Sequence, residues 1–238
     1  MIEARDNVRF LTSIEKYWDP LYRCEPKEMI EYIPPVLAVL RRVYNSSHFF
    51  NTSERLTSFL SKVTNQLIFV SQNYLTDTYQ KSIWSEDMAV LVRKIGECKS
   101  MQDVYRSSYF QIQREIEEGG EKPLTCSTNF LFTRLDKFTL RLSKIREIME
   151  TCLRYQVLKK IPITGMEQFL EKIELSFTKI SETTYDPLEY RKHYFDHDFL
   201  HFQKEISVIE LEMELFVKNY LDPISNTAHR VLTLKRFQ

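Results

Sequence analysis

The chain has 238 residues, of which 43% are hydrophobic and 28% charged, a composition typical of a folded protein rather than a disordered one. Lysine plus arginine number 33, as do aspartate plus glutamate, so the chain has no net charge to attract nucleic acid or an anionic membrane. Four glycines are too few for the turns of an all-β protein, and no apolar run reaches the ~18–20 residues of a membrane span.

Prolines are predicted to divide the N-terminal part into helical segments. The first helix is predicted from Ile2 to Trp18, because Pro20 excludes the helical conformation from the residue before it. A short helix is predicted after Pro26, and Pro34 and Pro35 are predicted to break the chain again. The seam of the first helix, meaning its stripe of apolar side chains that faces the core, is Ala4, Val8, Leu11, Ile14 and Trp18. The inward residues around Pro34 and Pro35 are Met29, Ile30, Ile33, Val36, Leu37, Leu40, Val43 and Tyr44.

The stretch from Tyr44 to Tyr74 carries both a start signal and a seam for a long helix. Asn51 is expected to cap this helix, and Glu54 stands at the spacing of a capping box. The seam has the alternating steps of four and three that define heptads, through Leu56, Leu60, Val63, Leu67, Val70 and Tyr74. The polar face is assigned to Ser58, Ser61, Lys62, Asn65, Gln66 and Ser71. Residues 73–85 are polar and mixed, which predicts a loop.

The next predicted helix begins near Trp84 and ends near Gly119. Gly119 is expected to adopt the left-handed cap conformation, and Pro123 prevents the helix from restarting at once. This break is the best internal boundary, and it predicts modules at residues 1–122 and 123–238, with a single domain as the alternative. A loop between antiparallel helices is favoured there over a hinge, because the break is short. The seam is Trp84, Met88, Leu91, Ile95, Cys98, Gln102, Tyr105, Tyr109, Ile112 and Ile116.

Three further helices are predicted after this break. Ser127 or Thr128 is expected to cap the first, whose seam is Leu131, Leu135, Phe138, Leu142, Ile145, Met149 and Cys152. After an interruption at Pro162 and Gly165, the second has the seam Phe169, Ile173, Phe177 and Ile180. The third is predicted to open at residues 185–187 and to end at Asp222, and its seam is Phe195, Phe199, Phe202, Ile206, Ile209, Met213, Phe216 and Tyr220. Its 33 or so residues would make a rod of about 50 Å. Residues 226–238 are predicted to start another helix.

Together these patterns predict an all-α protein, an extended bundle of long antiparallel helices with heptad seams. The same heptads allow coiled coils between molecules, but short loops place neighbouring helices side by side and favour packing within the chain. The N-terminus lacks the apolar region of a signal peptide. The four widely spaced cysteines are therefore interpreted as reduced thiols: Cys24, Cys98, Cys126 and Cys152.

One cluster suggests chemistry, the ladder of His193, His197 and His201. Residues four apart share a helix face and can bind a divalent metal. The histidines flank the phenylalanine seam on its wet side, however, so a solvated polar face is the favoured interpretation and no metal or other cofactor is assigned. No glycine-rich ATP loop or nucleophile elbow occurs, so no catalytic residue is assigned either. Basic residues such as Arg41 and Arg42, and the acidic stretch 115–121, are interpreted as solvated faces or as charges that steer docking.

Several stretches resemble the N-terminal tail of axonemal dynein heavy chains. They are residues 51–58 (NTSERLTS) with 63–67 (VTNQL), 4–11 (ARDNVRFL) with 15–17 (EKY), 163–167 (ITGME), and 185–188 (YDPL) with 195–199 (FDHDF). The resemblance implies a piece of a larger ATP-driven, minus-end-directed microtubule motor in the cytoskeleton of the ciliary axoneme. The implied partners are other dynein heavy chains, intermediate and light chains, and microtubule-docking proteins. The motor ring is implied to lie elsewhere, so this chain is not expected to be an enzyme.

The expected mechanism is mechanical, because a stiff rod of long helices transmits force to its anchored end. Partner contacts are expected at aromatic residues near helix ends, namely Trp18, Phe49, Phe50 and Trp84. Two other classes of function stay open at this point: an unrelated coiled-coil adaptor, and an all-α metal-dependent hydrolase that uses the histidine ladder.

Overall fold

The computed structural model describes residues 2–47, 49–77, 81–121, 123–126, 128–161 and 163–221. Within these ranges the chain forms seven α-helices and no strand. They are α1 (Ile2–Arg23), α2 (Pro26–Ser46), α3 (Ser53–Leu75), α4 (Met88–Glu118), α5 (Thr128–Tyr155), α6 (Glu167–Ser181) and α7 (Tyr194–Leu221). Short 3-10 helices occupy Ile83–Ser85 and Gln156–Lys160. The prediction of an all-α helical bundle is confirmed.

The chain divides into two compact units. The first comprises residues 1–86 and 90–143, and therefore holds α1 to α3, most of α4 and the start of α5. The second comprises residues 87–89 and 144–238, with the end of α5, α6 and α7. The modules predicted at 1–122 and 123–238 stay a prediction, because compact packing and independent folding are different properties. No helix in the described ranges is long and apolar enough to cross a membrane.

The prediction that prolines end the first two helices is wrong. Helix α1 continues through Pro20 to Arg23, and α2 continues through Pro34 and Pro35 to Ser46. A proline inside a helix costs roughly 3 kcal/mol, whereas each fully buried aliphatic side chain stabilises by about 1.5–3 kcal/mol. Pro34 and Pro35 lie on the exposed face of α2, and the buried stripe runs past them: Met29, Ile33, Val36, Leu37, Leu40, Val43 and Tyr44. Burial along the whole stripe therefore outweighs the local cost.

A contact from α3 stabilises the C-terminal end of α1. Leu21 is fully buried, and the Gln66 side chain on α3 donates a hydrogen bond of 3.0 Å to the Leu21 carbonyl. The predicted seam of α1 is wrong at Val8, which is 63% exposed. The side chains of Ala4, Leu11 and Ile14 lie outside the described residues.

Helix α3 differs from its prediction at its cap and on its polar face. Thr52, not Asn51, is the N-cap, and its hydroxyl accepts a hydrogen bond from the backbone N–H of Arg55. Ser71 is fully buried rather than solvated, and its hydroxyl donates to the Leu67 carbonyl at 2.8 Å. A serine that satisfies its own hydroxyl against the preceding turn can face the core at little cost.

Helix α4 ends as the glycine pair predicts, with a shift of one residue. Gly120, rather than Gly119, has the positive φ of 64°. The N–H of Glu121 reaches the Ile116 carbonyl at 3.1 Å, and that of Gly120 reaches the Glu117 carbonyl at 3.3 Å. These two bonds form a Schellman motif, which satisfies the last carbonyls of the helix.

Helix α5 follows its predicted seam throughout. Thr128 is its first residue, and Ser127 lies outside the described residues. All seven seam residues are buried: Leu131, Leu135, Phe138, Leu142, Ile145, Met149 and Cys152. This seam belongs to both compact units, since the division between residues 143 and 144 falls within α5.

Helix α7 begins at Tyr194, and the predicted opening at residues 185–187 is wrong. The Asp186 carboxylate accepts a hydrogen bond from the backbone N–H of Leu188 at 2.9 Å, and Leu188 is fully buried. Such a side-chain turn competes with the helix for the same backbone groups. The helix has 28 residues and is correspondingly shorter than the predicted rod. The predicted helix at residues 226–238 lies outside the described residues.

Two glycines predict opposite responses to alanine. At Gly96, inside α4, an added Cβ meets nothing within 4 Å, so Gly96→Ala is expected to raise the free energy of unfolding by about 0.5–1 kcal/mol. Gly165 has a φ of 96°, and its Cβ would lie 3.1 Å from the Phe216 ring, so Gly165→Ala is expected to lower it by about 1–3 kcal/mol. Urea denaturation of both variants checks the pair, and equal shifts would contradict it.

Candidate functional site

The aromatic residues predicted as a partner surface meet around a residue that the prediction omitted. The Trp18 ring on α1 stands edge-on to the Phe59 ring on α3, with centroids 4.8 Å apart and an interplanar angle of 86°. Phe50, in the connection between α2 and α3, lies 6.4 Å from Phe59, and Phe49 lies 5.0 Å from Phe50. We call Trp18, Phe49, Phe50 and Phe59 the aromatic corner. All four rings are partly exposed, which suits a contact surface.

Arg55 holds the outer edge of the aromatic corner. Its guanidinium lies 3.6 Å from the Phe49 ring centroid, and its Nη1 donates to the Phe49 carbonyl at 2.6 Å. The connection between α2 and α3 is thereby tied to the first turn of α3. The turn is completed by Ser47, whose hydroxyl accepts from the backbone N–H groups of Phe49 and Phe50, both at 3.2 Å. Arg55 was not predicted as a site residue, although its place one residue before the seam marks it as exposed at the helix start.

The inner side of the aromatic corner joins the core. Phe50 and Phe59 line a cavity of about 10 Å³ together with Leu40, Val43, Tyr44 and Leu56. That space is close to one water molecule and cannot take a ligand. The corner can therefore offer an outward surface to a protein, but it holds no small-molecule site.

Trp84 does not join the aromatic corner. It lies partly exposed in the 3-10 helix Ile83–Ser85, where Ser82 caps the turn by accepting from the Trp84 backbone N–H at 3.4 Å. Its neighbour Ile83 is 2% exposed and anchors the turn in the core. The structure thus brings together three of the four predicted partner residues and leaves the fourth in a separate turn. A role of any of the four in partner binding stays a prediction.

Two charged stretches singled out in the sequence meet each other. The Arg41 guanidinium on α2 lies 2.5 Å from the Glu121 carboxylate and 3.2 Å from that of Glu115. Asn45 also donates to Glu121 at 3.0 Å. The hydrogen bond from Arg41 lowers the pKa of Glu121 below its ordinary value. These charges tie α2 to the end of α4, so they are partly used within the first unit rather than offered to a partner.

The core of the first unit contains a polar group that the seam analysis did not find. The Tyr105 hydroxyl on α4 lies 3.3 Å from the Thr64 hydroxyl and donates to the Leu60 carbonyl at 3.3 Å, both on α3. Gln102, the one polar seam position, is 2% exposed and accepts from the Thr139 hydroxyl at 2.5 Å. Its Nε2 has no hydrogen-bond partner. Such buried polar contacts fix which helices pair and in what register.

The histidine ladder lies in water on the second unit. The side chains of His193, His197 and His201 are 91%, 83% and 61% exposed. Each faces a different carboxylate, respectively Asp196, Asp198 and Glu205, at 3.1 to 3.5 Å. Among the described residues, no group of three or more histidine, cysteine or acidic side chains is placed to hold a metal ion. Each of the three carboxylates therefore faces one histidine, and these described residues form no shared metal site.

The cysteines are free thiols within the described structure. Burial raises the pKa of Cys98 to about 12 and that of Cys152 to about 11. Cys126 is partly exposed, lies 2.5 Å from the Tyr109 hydroxyl, and also has a raised pKa because of burial. Thiols with raised pKa values are poor nucleophiles at neutral pH, so none of the three has the character of a catalytic cysteine.

Comparison with known proteins identifies the class. Residues 1–238 match the family described as Dynein heavy chain, N-terminal region 1, and the chain belongs to that family. Its relatives include axonemal proteins: over 237 residues it is 32% identical to Dynein axonemal heavy chain 5 of Rattus norvegicus and 31% identical to Dynein axonemal heavy chain 8 of Homo sapiens. It is 26% identical to the Dynein gamma chain, flagellar outer arm, of Chlamydomonas reinhardtii.

These matches cover 99% of this chain but only 5 to 7% of the relatives. The predicted resemblance to axonemal dynein heavy chains is therefore confirmed, and the chain is an N-terminal segment of that kind. The comparisons do not favour an unrelated coiled-coil adaptor or a metal-dependent hydrolase.

Proposed function

We propose that this chain acts as an assembly segment in the tail of an axonemal dynein heavy chain. The observation that carries the proposal is the family match over all 238 residues. The fold supports it, because long helices joined by buried seams resist bending and can carry force. In the complete protein, this segment would link an ATP-driven microtubule motor to its partners in the ciliary axoneme.

The partners we propose are other heavy chains, intermediate and light chains, and proteins that dock on the doublet microtubule. The relative named for a flagellar outer arm supports a place in the axoneme. We propose that the segment itself hydrolyses no ATP and needs no cofactor, since its polar clusters serve packing. Each ladder histidine faces a different carboxylate, and Arg41 is used to join α2 to α4.

The first test is capture from salt-extracted ciliary axonemes with the immobilised 238-residue chain, followed by mass spectrometry. Recovery of dynein intermediate chains or other heavy chains is expected. Recovery of no dynein subunit would overturn the proposal. An antibody against the segment should also detect a very large protein that co-sediments with the same subunits.

The aromatic corner gives the capture test a residue-level prediction. Trp18→Ala with Phe49→Ala is expected to lower recovery of dynein subunits at least tenfold, because exposed aromatics dominate interface energies. Leu140→Ala is the matched control, since Leu140 is 57% exposed on another helix. Trp84→Ala is measured alongside: unchanged recovery with reduced fold stability would assign Trp84 to the core and remove it from the partner surface.

A further inference from the structure

The core-facing side of α7 loses its cover towards the end of the helix. Its first part is buried through Phe195, Phe199, Phe202, Ile206 and Ile209. The same steps of four and three continue through Met213, Phe216 and Tyr220, but Met213 and Phe216 are only partly buried and Tyr220 is 42% exposed. Phe216 packs on one side against the Phe169 ring of α6, with centroids 5.4 Å apart. The last turns of this face therefore have fewer packing partners than the first.

A groove of about 410 Å³ lies beside these turns, within the second unit. Its walls are the end of α7 and the 3-10 helix Gln156–Lys160 that follows α5. Its apolar lining consists of Val157, Leu158, Ile161, Met213 and Val217. Val157 is 54% exposed at this groove. A furrow with an apolar floor between two helical elements has the shape that a further helix fills in a bundle.

The charges at this groove suit a basic occupant. Arg154 and Glu210 both line it and pair with each other at 3.7 Å. Glu214 also lines it, is exposed, and makes no ion pair among the described residues. Lys218 follows one turn later on α7 and does not line the groove. The uncompensated charge of the lining is therefore one carboxylate, which attracts a cation.

The chain that follows α7 has the length to reach this groove. Val217, on the lining, lies one turn before the end of α7 at Leu221. Residues 222–238 lie outside the described residues, and their sequence is DPISNTAHRVLTLKRFQ. Its first residues, Asp222 and Pro223, are typical of a turn. As a helix, residues 226–238 would extend about 20 Å, whereas the lining from Glu210 to Val217 spans about 10 Å.

The same segment has the pattern of an occupant for this groove. At helical spacing, Ala228, Val231 and Leu232 share one face, and Phe237 lies on the opposite one. After Asp222 the segment contains no acidic residue. Its charges are basic, at Arg230, Lys235 and Arg236. An apolar stripe with basic flanks therefore complements an apolar floor with one free carboxylate.

We propose that residues 224–238 fold back along the end of α7 as a helix and place Ala228, Val231 and Leu232 in the groove. The occupant is a segment of the same chain, which covers the apolar floor between the 3-10 helix and α7. A short connection holds the segment at an effective concentration of roughly millimolar order, so docking needs little intrinsic affinity. The inference concerns how the second unit completes its core and does not depend on the proposed role in assembly.

Limited trypsin digestion of the whole chain, followed by mass spectrometry, tests this docking, because Arg230 lies within the segment. A synthetic peptide of residues 222–238 gives the cleavage rate of the free segment. Cleavage after Arg230 is expected to be at least tenfold slower in the chain than in the peptide. Cleavage after Lys192, exposed in the connection between α6 and α7, is the internal reference for a folded second unit.

Two variants test the two sides of the contact. Val157→Asp puts a charge on the groove floor at an exposed position, and it is expected to speed cleavage after Arg230 at least tenfold without changing cleavage after Lys192. Leu140→Asp is its matched control, since Leu140 is similarly exposed on α5, and no change is expected. Val231→Ser with Leu232→Ser is expected to act like Val157→Asp, with each rate taken relative to a peptide of the same sequence. Phe237→Ser, on the opposite face of the segment, is expected to leave the protection intact.

Each contrary result removes one part of the proposal. A rate after Arg230 equal to that of the peptide overturns the docking of the segment. Protection that survives Val157→Asp overturns the groove as the place where it docks. Protection that is lost on dilution from about 50 µM to about 1 µM shows that a second copy supplies the segment, because an intramolecular contact at roughly millimolar effective concentration is insensitive to dilution. Capture of dynein subunits from axonemes can succeed or fail whichever of these results is obtained.

Discussion

Phe138→Ala is expected to lower the free energy of unfolding by about 3–5 kcal/mol. Phe138 lies at the middle of the α5 seam and is 0% exposed, between Leu135 and Leu142, which are also buried. Truncation removes the transfer free energy of the ring and leaves a cavity that rigid neighbouring helices cannot close. Since whole domains are stable by only about 5–15 kcal/mol, this one change is expected to remove a large share of the total.

Urea denaturation followed by circular dichroism measures the effect. The matched control is Leu140→Ala, two residues away on the exposed side of the same helix, where a change within about 0.5 kcal/mol is expected. The contrast isolates burial, because both substitutions leave alanine in a helix. A loss below ~1 kcal/mol at Phe138 would show that the seam of α5 is not a packed core.

Alkaline pH is expected to unfold the chain through groups that burial keeps neutral. The pKa of Cys98 is raised to about 12, that of Cys152 to about 11 and that of Tyr155 to about 12, in each case chiefly by burial. Burial also raises the pKa values of Tyr105 and Tyr109. In the unfolded chain these groups lose their protons at lower pH, near the ordinary values of 9 for thiols and 10 for tyrosine.

The sign follows from proton counts. Above about pH 9 the unfolded state binds fewer protons than the folded state, so the free energy of unfolding falls as pH rises. Each group contributes up to about 1.4 kcal/mol per pH unit between its unfolded and folded pKa values. Below pH 9 the contribution of these groups is fully present and independent of pH. With both buried thiols and the tyrosines titrating, the loss between pH 9 and 11 is expected to amount to several kcal/mol.

Denaturation series at pH 8, 9, 10 and 11 check this slope. A variant with Cys98→Ala and Cys152→Ala is expected to be less stable at pH 8 but to show a shallower decline above pH 9. Leu140→Ala is the control, since it leaves every ionisable group in place and Leu140 is exposed. Equal slopes in the unaltered chain and the double variant would show that the two thiols ionise freely in the folded state.

The helices with clean seams could be predicted because their pattern is local and redundant. In α5 seven apolar residues repeat at steps of four and three, and all seven are buried. The same holds for the middle of α4, where Leu91, Ile95, Cys98 and Tyr105 are 0% exposed. No proline lies inside these stretches. Periodicity alone therefore places the core.

The errors fall where a local signal opposes a longer-range one. Pro20, Pro34 and Pro35 are strong helix breakers, yet buried leucines and valines on the same helices outweigh them. At residues 185–187 the proline suggests a helix start, whereas the Asp186 turn and buried Leu188 hold the chain in another conformation until Tyr194. Neither outcome can be read from neighbours in sequence, because it depends on free energies of burial against other helices.

The candidate site was predictable only in part. Trp18, Phe49 and Phe50 are aromatic and near helix ends, and on that basis they were singled out. Phe59, which contacts Trp18 and Phe50, is the seventh residue of α3 and carries no local signal of its own.

By itself the sequence determined the all-α class, most seams and the dynein resemblance, because side-chain periodicity and motif order are properties of the chain alone. Tertiary structure decided the rest: which prolines lie within helices, that Ser71 and Gln102 face the core, and that α7 keeps a second apolar face in water. The physical reason is that a side chain becomes buried only when a second surface packs against it. A heptad shows that a helix needs a partner, but only the packed fold shows which faces have found one.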